Sequence, residues 1–151
     1  MIRRSVAALS LSAAALVGLA LHEGYRGEAY DDGVGVQTIG FGTTAGVKPG
    51  DRITPEKALV RALTDAQKFE GALKQCVKVP LHQHEYDALV SFAYNVGSTA
   101  FCQSTLVRKL NAADYSGACK ELLRWTKAGG RELPGLVKRR QAEYQLCMGG
   151  V

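Results

Sequence analysis

The sequence predicts an α+β fold that is mostly helical, with one small β-hairpin near the N-terminus. After residue 54, apolar residues recur at the three- and four-residue spacing of helices over most of the chain. Before it, the glycine-rich stretch Val34–Thr43 alternates with the two-residue period of a strand. The 151 residues contain no proline- or serine-rich linker, which favours one domain with a substantial core.

The first element is an apolar segment, Ser5–Leu21, which follows Arg3 and Arg4 and has seventeen residues without a charge. As a helix it would be about 25 Å long, slightly shorter than the ~30 Å hydrocarbon core of a bilayer. Ten of the seventeen residues are Ala, Ser or Gly. The remaining Leu and Val residues contribute only about −2 to −4 kcal/mol of insertion free energy. The segment is therefore a weak membrane span, and the two arginines would keep its N-terminus in the cytoplasm.

Three interpretations of this segment remain open at the level of composition. A cleaved signal peptide fits the basic start and the small-x-small site at Gly18-Leu19-Ala20. A permanent anchor fits the absence of charge but not the small residues. A buried helix of a soluble core is the third interpretation. The basic flank and the apolar run together favour export.

The elements after the segment are predicted from local signals. The alternation in Val34–Thr43 predicts a twisted hairpin. Thr54 as an N-cap and Pro55 at the first helical position predict the start of a long helix. The predicted helices run from Pro55 to about Gln75, around Tyr86 and Tyr94 up to Gly97, after the cap Ser104, after Asp114 through Leu122 and Trp125, and from Pro134 to Cys147.

The formal net charge of +5 is uneven, because residues 76–151 carry +4 of it. This part includes Lys138-Arg139-Arg140 and favours an anionic partner such as nucleic acid, anionic lipid or a wall polymer. A solvated helix face explains the same charges equally well.

Four cysteines, Cys76, Cys102, Cys119 and Cys147, lie outside the apolar segment at spacings unlike metal or redox motifs. An even number behind an export signal predicts two disulfides in an oxidising compartment. Four cysteines allow three pairings, among which we choose Cys76–Cys147 with Cys102–Cys119.

Carboxylates are the candidate reactive groups, because metal-site and nucleophile motifs are absent from the sequence and His22, His82 and His84 are isolated. Cleavage of a glycosidic bond needs one protonated carboxyl, to protonate the leaving oxygen, and one ionised carboxylate. Two such tasks require two different environments.

Glu23, Asp32 and Thr38 fit this chemistry. Glu23 follows the apolar segment, where desolvation would raise the pKa of a carboxyl group. Asp32 lies in a polar Asp-Asp-Gly turn, where backbone N–H groups favour the charged form. Thr38 lies among glycines of the predicted hairpin and could steer a water molecule beside Asp32, while the glycines leave room for a sugar chain. The neighbouring acids Glu28 and Asp31 are interpreted as solvated loop residues.

These residues lie in a longer pattern that resembles the phage-type lysozymes, the endolysins that open the host cell wall from inside. The resemblance begins with EGYRGEAYDDGVGVQTIGFGTT, from Glu23 to Thr44. Further matching stretches are YDAL from Tyr86, FAYNVG from Phe92, FCQSTL from Phe101, LLRW from Leu122 and GLVKRR from Gly135. Together they cover residues 22 to about 147.

The resemblance implies a lysozyme-like fold with a small N-terminal hairpin and a C-terminal helical lobe, and neither a metal nor an organic cofactor. It also implies that Glu23 is the catalytic acid, Asp32 its carboxylate partner and Thr38 the third active-site residue. The substrate would be the β-1,4 bond between N-acetylmuramic acid and N-acetylglucosamine in peptidoglycan, cleaved with inversion. Tyr94 and Ser104 correspond to residues that line the family's cleft, although helix core and N-cap are their structural alternatives.

One subset of the family, the signal-anchor-release (SAR) endolysins, keeps an apolar segment as a temporary anchor. By that resemblance residues 1–21 are the anchor and residues 22–151 the catalytic domain. The chain would be tethered to inner-membrane lipid and later released to the periplasm, where peptidoglycan strands are its partner. No cysteine lies in this segment, which excludes thiol exchange there as the trigger. We expect a monomer without a nucleic-acid partner.

Two alternatives to a hydrolase remain. A lytic transglycosylase would act on the same bond with Glu23 alone and would not need Asp32. A non-catalytic exported wall-binding module would use the basic C-terminal half and would not need Glu23. The sequence determines neither the trigger of release nor the host.

Overall fold

The computed structural model describes residues 1–150 and has the mostly helical α+β architecture that the sequence predicts. The chain folds into two compact units. The hairpin unit comprises Ala13–Lys68, and the helical unit comprises residues 1–12 together with the described residues from Phe69 onward. The helices are α1 (Ala13–Glu23), α2 (Pro55–Cys76), α3 (Gln83–Val96), α4 (Ser98–Cys102), α5 (Thr105–Asn111), α6 (Tyr115–Glu121) and α7 (Pro134–Cys147).

The strands form two small antiparallel sheets. In the hairpin unit, β1 (Arg26–Asp31) pairs with β2 (Gln37–Gly40). In the helical unit, β3 (Lys127–Ala128) pairs with β4 (Arg131–Glu132). The hairpin therefore begins earlier in the chain than the predicted range Val34–Thr43. The strand-like alternation of that range marks only β2, because β1 carries no clear two-residue apolar period and is recognised by its pairing alone.

Most predicted helix boundaries are confirmed, because they depend on contacts within a few residues of the chain. The Thr54 hydroxyl accepts a hydrogen bond from the Lys57 N–H at 3.4 Å, and α2 begins at Pro55. Gly97, with a φ of 91°, ends α3. The helix after Asp114 is shorter than predicted, since α6 ends at Glu121 and a 3-10 turn follows.

The apolar segment Ser5–Leu21 is not one continuous helix. Val6–Ala8 form a single 3-10 turn capped by Ser5, and α1 begins only at Ala13. Its eleven residues are about 16 Å long. Within residues 1–150, no helix combines the length and the apolar character that crossing a bilayer requires.

The core of the helical unit is built on α3, whose residues from Glu85 to Tyr94 are all buried. Two residues of the apolar segment, Val6 and Leu9, belong to the same cluster of buried apolar side chains. Phe92 packs edge-on against both Phe101 and Trp125, with ring centroids 6.2 and 5.2 Å apart. The start of the chain is therefore part of the core of this unit.

Two disulfides lie in the helical unit, but their pairing differs from the prediction. Cys76 pairs with Cys102 and Cys119 with Cys147, with Cα–Cα distances of 5.7 and 5.8 Å. The predicted pairs Cys76–Cys147 and Cys102–Cys119 are wrong. The pairing depends on which helix ends meet, α2 with α4 and α6 with α7, and local sequence does not encode this.

A buried ion cluster occupies the helical unit where the sequence suggested a basic surface. Arg139 and Arg140 are buried and contact Glu143, with nitrogen–oxygen distances of 2.9 and 3.1 Å. Burial raises the pKa of the Glu143 carboxyl, although Arg140 and Arg139 oppose this shift. Because two of the three residues in Lys138-Arg139-Arg140 are buried, the anionic-partner interpretation of this stretch loses its main support.

Candidate active site

Glu23 is the last residue of α1 and lies in the hairpin unit, at the end of an apolar helix as the sequence predicts. Its side chain is half-buried and packs against Gly42. A Cβ atom at residue 42 would lie 2.7 Å from the Glu23 Oε2 atom, closer than real contacts allow. Gly42 also has a φ of +82°, a region that favours glycine. A side chain at position 42 would therefore displace the Glu23 carboxyl group and strain the backbone, so this site favours glycine.

Asp32 occupies the turn between β1 and β2. Its Oδ1 atom accepts hydrogen bonds from the N–H groups of Val34 and Val36, at 3.0 and 3.1 Å. Asp31 does the same with Gly33 and Gly35, at 2.8 and 3.1 Å. Both aspartates therefore cap the turn, and Asp31 is more than a solvated loop residue. The bonds to the turn orient the exposed Asp32 carboxylate.

Thr38 lies on β2 opposite Tyr30, and only 6% of its surface is exposed. Its hydroxyl donates to the Val36 carbonyl at 3.3 Å. The same carbonyl accepts a hydrogen bond from the Asp32 N–H at 3.0 Å. The hairpin thus joins the Asp32 backbone and the Thr38 side chain through one shared acceptor.

The turn of residues 40–43 follows β2 and contains contacts that the sequence did not reveal. The Thr43 hydroxyl donates to the Asp65 Oδ2 atom on α2 at 2.6 Å. A Cβ at Gly40 would lie 3.0 Å from the Ala58 Cβ. Gly40 and Gly42 thus accommodate Ala58 and Glu23, whereas Gly33 and Gly35 face open space. The sequence-based interpretation that the glycines of the hairpin region leave room for a sugar chain therefore applies at most to Gly33 and Gly35.

Tyr94 and Ser104 belong to the helical unit. Tyr94 is buried on α3, and its ring lies 5.3 Å from that of Phe69. Ser104 is the N-cap of α5, where its hydroxyl accepts from the Val107 N–H at 3.2 Å and donates to the Phe101 carbonyl at 2.6 Å. The structure thus supports their structural roles, and sugar contacts at these residues stay a prediction.

The carboxyl groups of the hairpin unit are the candidate reacting groups of this site. Residues 1–150 contain no group of three or more His, Cys, Asp or Glu side chains arranged to hold a metal ion. Within the hairpin unit, a carboxyl group at a helix end and a carboxylate on a hydrogen-bonded turn are held by separate elements. Glycoside hydrolysis uses two carboxyl groups in different environments, which makes this pair the candidate for that chemistry.

Known proteins resemble the chain over most of its length. A family profile described as phage lysozyme matches residues 20–143. An endolysin of Acyrthosiphon pisum secondary endosymbiont phage 1 is 44% identical over 142 residues, covering 91% of this chain and 97% of that protein. A SAR-endolysin of Pseudomonas phage phiKMV is 42% identical over 140 residues, covering 90% of this chain and 87% of that protein.

Among solved structures, the muramidase domain of SpmX from Asticaccaulis excentricus is similar, with a TM-score of 0.87 and 32% identity. The similarity covers 93% of this chain and 98% of that one. These matches confirm the predicted lysozyme-like fold and the resemblance from which it was drawn.

Proposed function

Because this chain belongs to the phage lysozyme family, we propose that it hydrolyses the β-1,4 bond between N-acetylmuramic acid and N-acetylglucosamine in peptidoglycan. Glu23 donates a proton to the glycosidic oxygen as the bond breaks. Asp32 activates a water molecule from the opposite face of the sugar, and Thr38 steers that water. The products have inverted anomeric configuration.

One observation carries this assignment. The Val36 carbonyl accepts from both the Asp32 N–H and the Thr38 hydroxyl, so the two residues assigned to the water share one hydrogen-bonded hairpin. Glu23 lies on a different element, α1, next to Gly42. The acid and the base of this reaction need different environments, and residues on separate elements can have them.

The test compares each carboxyl with a neighbouring acid. Glu23→Gln and Asp32→Asn should each reduce clearing of permeabilised cell walls by about 100-fold or more. Glu28→Gln and Asp31→Asn are the controls, and the second also perturbs a capping bond of the same turn. Equal losses in Asp31→Asn and Asp32→Asn would mean that turn geometry, and not chemistry at Asp32, explains the effect.

The two alternatives give different results in this assay. A lytic transglycosylase would leave 1,6-anhydro ends and would retain most of its activity in Asp32→Asn. A wall-binding module would keep its effect on cells in Glu23→Gln. Reducing ends with inverted configuration, detected by NMR immediately after cleavage, would support the hydrolase.

We further propose that residues 1–21 anchor the chain in the inner membrane until they are released into the fold seen here. The similarity to a SAR-endolysin supports this, as does the weak insertion energy of Ser5–Leu21. In the folded chain, the Arg4 N–H and carbonyl both bond with Leu81, at 2.8 Å each. Arg3 forms two bonds to Glu85, at 2.9 and 3.0 Å. These contacts compete with insertion, because they hold Arg3 and Arg4, which directly precede Ser5–Leu21, within the helical unit.

The last residues of the stretch 1–12 donate hydrogen bonds to the carboxylates of Asp87 and Glu70. Asp87 accepts from both the N–H and the hydroxyl of Ser12, at 3.0 and 2.7 Å. Glu70 accepts from the Leu11 N–H at 2.6 Å. Hydrogen bonds to charged acceptors stabilise by about 1.5–3 kcal/mol, comparable with the weak insertion energy. Retention of the segment is therefore favoured over its cleavage, which would remove all these contacts.

Release can be measured without lysis in the Glu23→Gln background. Adding Asp87→Asn should lower the ratio of soluble to membrane-bound chain about tenfold, whereas adding the exposed Glu132→Gln should not change it. Mass spectrometry of the soluble chain gives its first residue. A soluble chain that begins at Leu21 and is fully active with Glu23 restored would contradict the release proposal.

A further inference from the structure

The turn of residues 40–43 forms one wall against the Glu23 side chain. The hypothetical Cβ of residue 42 lies 2.7 Å from Glu23 Oε2, 3.2 Å from its Cδ and 3.6 Å from its Cγ. The space that a Cβ at residue 42 would fill therefore lies next to the Glu23 carboxyl group and its Cγ atom. A displacement of this turn would change the room around that carboxyl group and so the rotamers open to it.

The turn is held by contacts on both of its sides. Ile39 and Thr43 exchange two backbone hydrogen bonds, at 2.9 and 3.0 Å. The Thr43 side chain, with 2% of its surface exposed, donates to Asp65 on α2 at 2.6 Å. Gly40 packs against Ala58, a buried residue of α2. The Thr43–Asp65 bond thus joins the turn directly to α2 through two side chains.

We propose that Asp65, acting through Thr43, is a positioning residue for the catalytic acid. The bond fixes the turn on α2, the turn places Gly42 against Glu23, and Gly42 restricts the carboxyl to the orientation used for proton transfer. A misplacement of about 1 Å at a reacting group can cost as much as 100-fold in rate. The inference rests on the proposed role of Glu23 and extends it to two residues outside the proposed catalytic set.

Loss of the Thr43–Asp65 bond should change the kinetics differently according to whether the bond positions Glu23 or only stabilises the hairpin unit. If the bond only stabilises the hairpin unit, its loss lowers the melting temperature while kcat per folded molecule stays unchanged. If it positions Glu23, its loss lowers kcat with KM nearly unchanged, because the acid acts on the transition state and not on sugar binding. The dependence of kcat on pH should shift in the limb assigned to the acid, since the environment of the carboxyl changes.

The experiment uses the full-length soluble chain and a defined peptidoglycan oligosaccharide, assayed below the melting temperature of every variant. Thr43→Val removes the hydroxyl with little change of shape, Thr43→Ser keeps it, and Asp65→Asn weakens the acceptor. Arg61→Met is the matched control, because Arg61 on the same helix donates to the Ala45 carbonyl at 2.6 Å, beyond the turn. Thr64→Ala controls for α2 itself, since the Thr64 hydroxyl donates within the helix, to the Val60 carbonyl.

We expect kcat to fall about tenfold in Thr43→Val and Asp65→Asn, with KM within about twofold of wild type. Thr43→Ser, Arg61→Met and Thr64→Ala should keep at least about half of kcat. Thr43→Val with unchanged kcat would overturn the proposal, as would an equal loss of kcat in Arg61→Met. Glu23→Gln, assayed in parallel, separates this failure from failure of the proposed function, in which Glu23→Gln itself would remain active.

Discussion

The two units of the chain are stabilised in different ways. The helical unit has a continuous apolar core, two disulfides and a buried ion cluster. The hairpin unit has no disulfide among its described residues, and its turns are held by hydrogen bonds and close glycine contacts. The three proposed catalytic residues all belong to the hairpin unit. Substitutions in the helical unit should therefore cost stability, and those in the hairpin turns should cost activity first.

The largest expected loss of stability comes from breaking the ion cluster of the helical unit. Glu143→Gln leaves the buried guanidinium groups of Arg139 and Arg140 without this carboxylate. Removing one partner of a buried ion pair costs about 3–5 kcal/mol. Chemical denaturation should show this loss, while Glu132→Gln, an exposed acid in the same unit, should change the free energy of unfolding by less than about 0.5 kcal/mol.

Removal of the disulfide between α6 and α7 should have a somewhat smaller effect. Cys119 and Cys147 are 28 residues apart in sequence. A loop of this length corresponds to about 3 kcal/mol of stabilisation in the chain-entropy model. The double variant Cys119→Ser, Cys147→Ser should unfold at a lower denaturant concentration, and kcat of the molecules that remain folded should be unchanged. A large drop in kcat would show that catalysis by residues of the hairpin unit depends on this disulfide of the helical unit.

Two glycines of the hairpin unit differ in what surrounds them. Gly40 and Gly35 both have positive φ, +64° and +84°, but only Gly40 faces a neighbour, Ala58. Alanine at either position incurs about 1 kcal/mol of backbone strain. Gly40→Ala should cost about 1–2 kcal/mol more than Gly35→Ala, because the added methyl group clashes with α2. Similar melting temperatures for the two variants would contradict the close contact at Gly40.

The smallest expected effect is a pH dependence located in the helical unit. Burial of the ring lowers the pKa of His82; Arg3 and His84 act in the same direction, and Glu85 opposes them. The folded chain therefore binds fewer protons than the unfolded chain below about pH 6.5. The stability contributed by neutral His82 is present above this pH and is lost as the pH falls through the folded-state pKa. The melting temperature should fall from pH 7 to pH 5, and less so in His82→Gln than in a His22→Gln control.

Local signals explain which parts of this protein were predictable. Thr54-Pro55, Gly97, Ser104 and Pro134 act on neighbouring backbone groups, so they determine helix ends wherever the chain folds. A helix end and a turn likewise made Glu23 and Asp32 candidates for the reaction, and their proposed roles came from the resemblance to the phage-type lysozymes. The sequence also contained the apolar Ser5–Leu21 segment, whose weak hydrophobicity is compatible with either membrane or fold.

Other features were decided only by the tertiary structure, because they depend on residues that are distant in sequence. The partner of each cysteine, the burial of Arg139 and Arg140 and the bond between Thr43 and Asp65 all arise where separate elements meet. The division of the apolar segment has the same origin. In its first half, Leu11 and Ser12 bond to Glu70 and Asp87 instead of continuing a helix. Arg4, just before the segment, exchanges backbone hydrogen bonds with Leu81. The sequence by itself thus determined the local elements and supplied the candidate reacting groups, whereas packing decided how those groups are held.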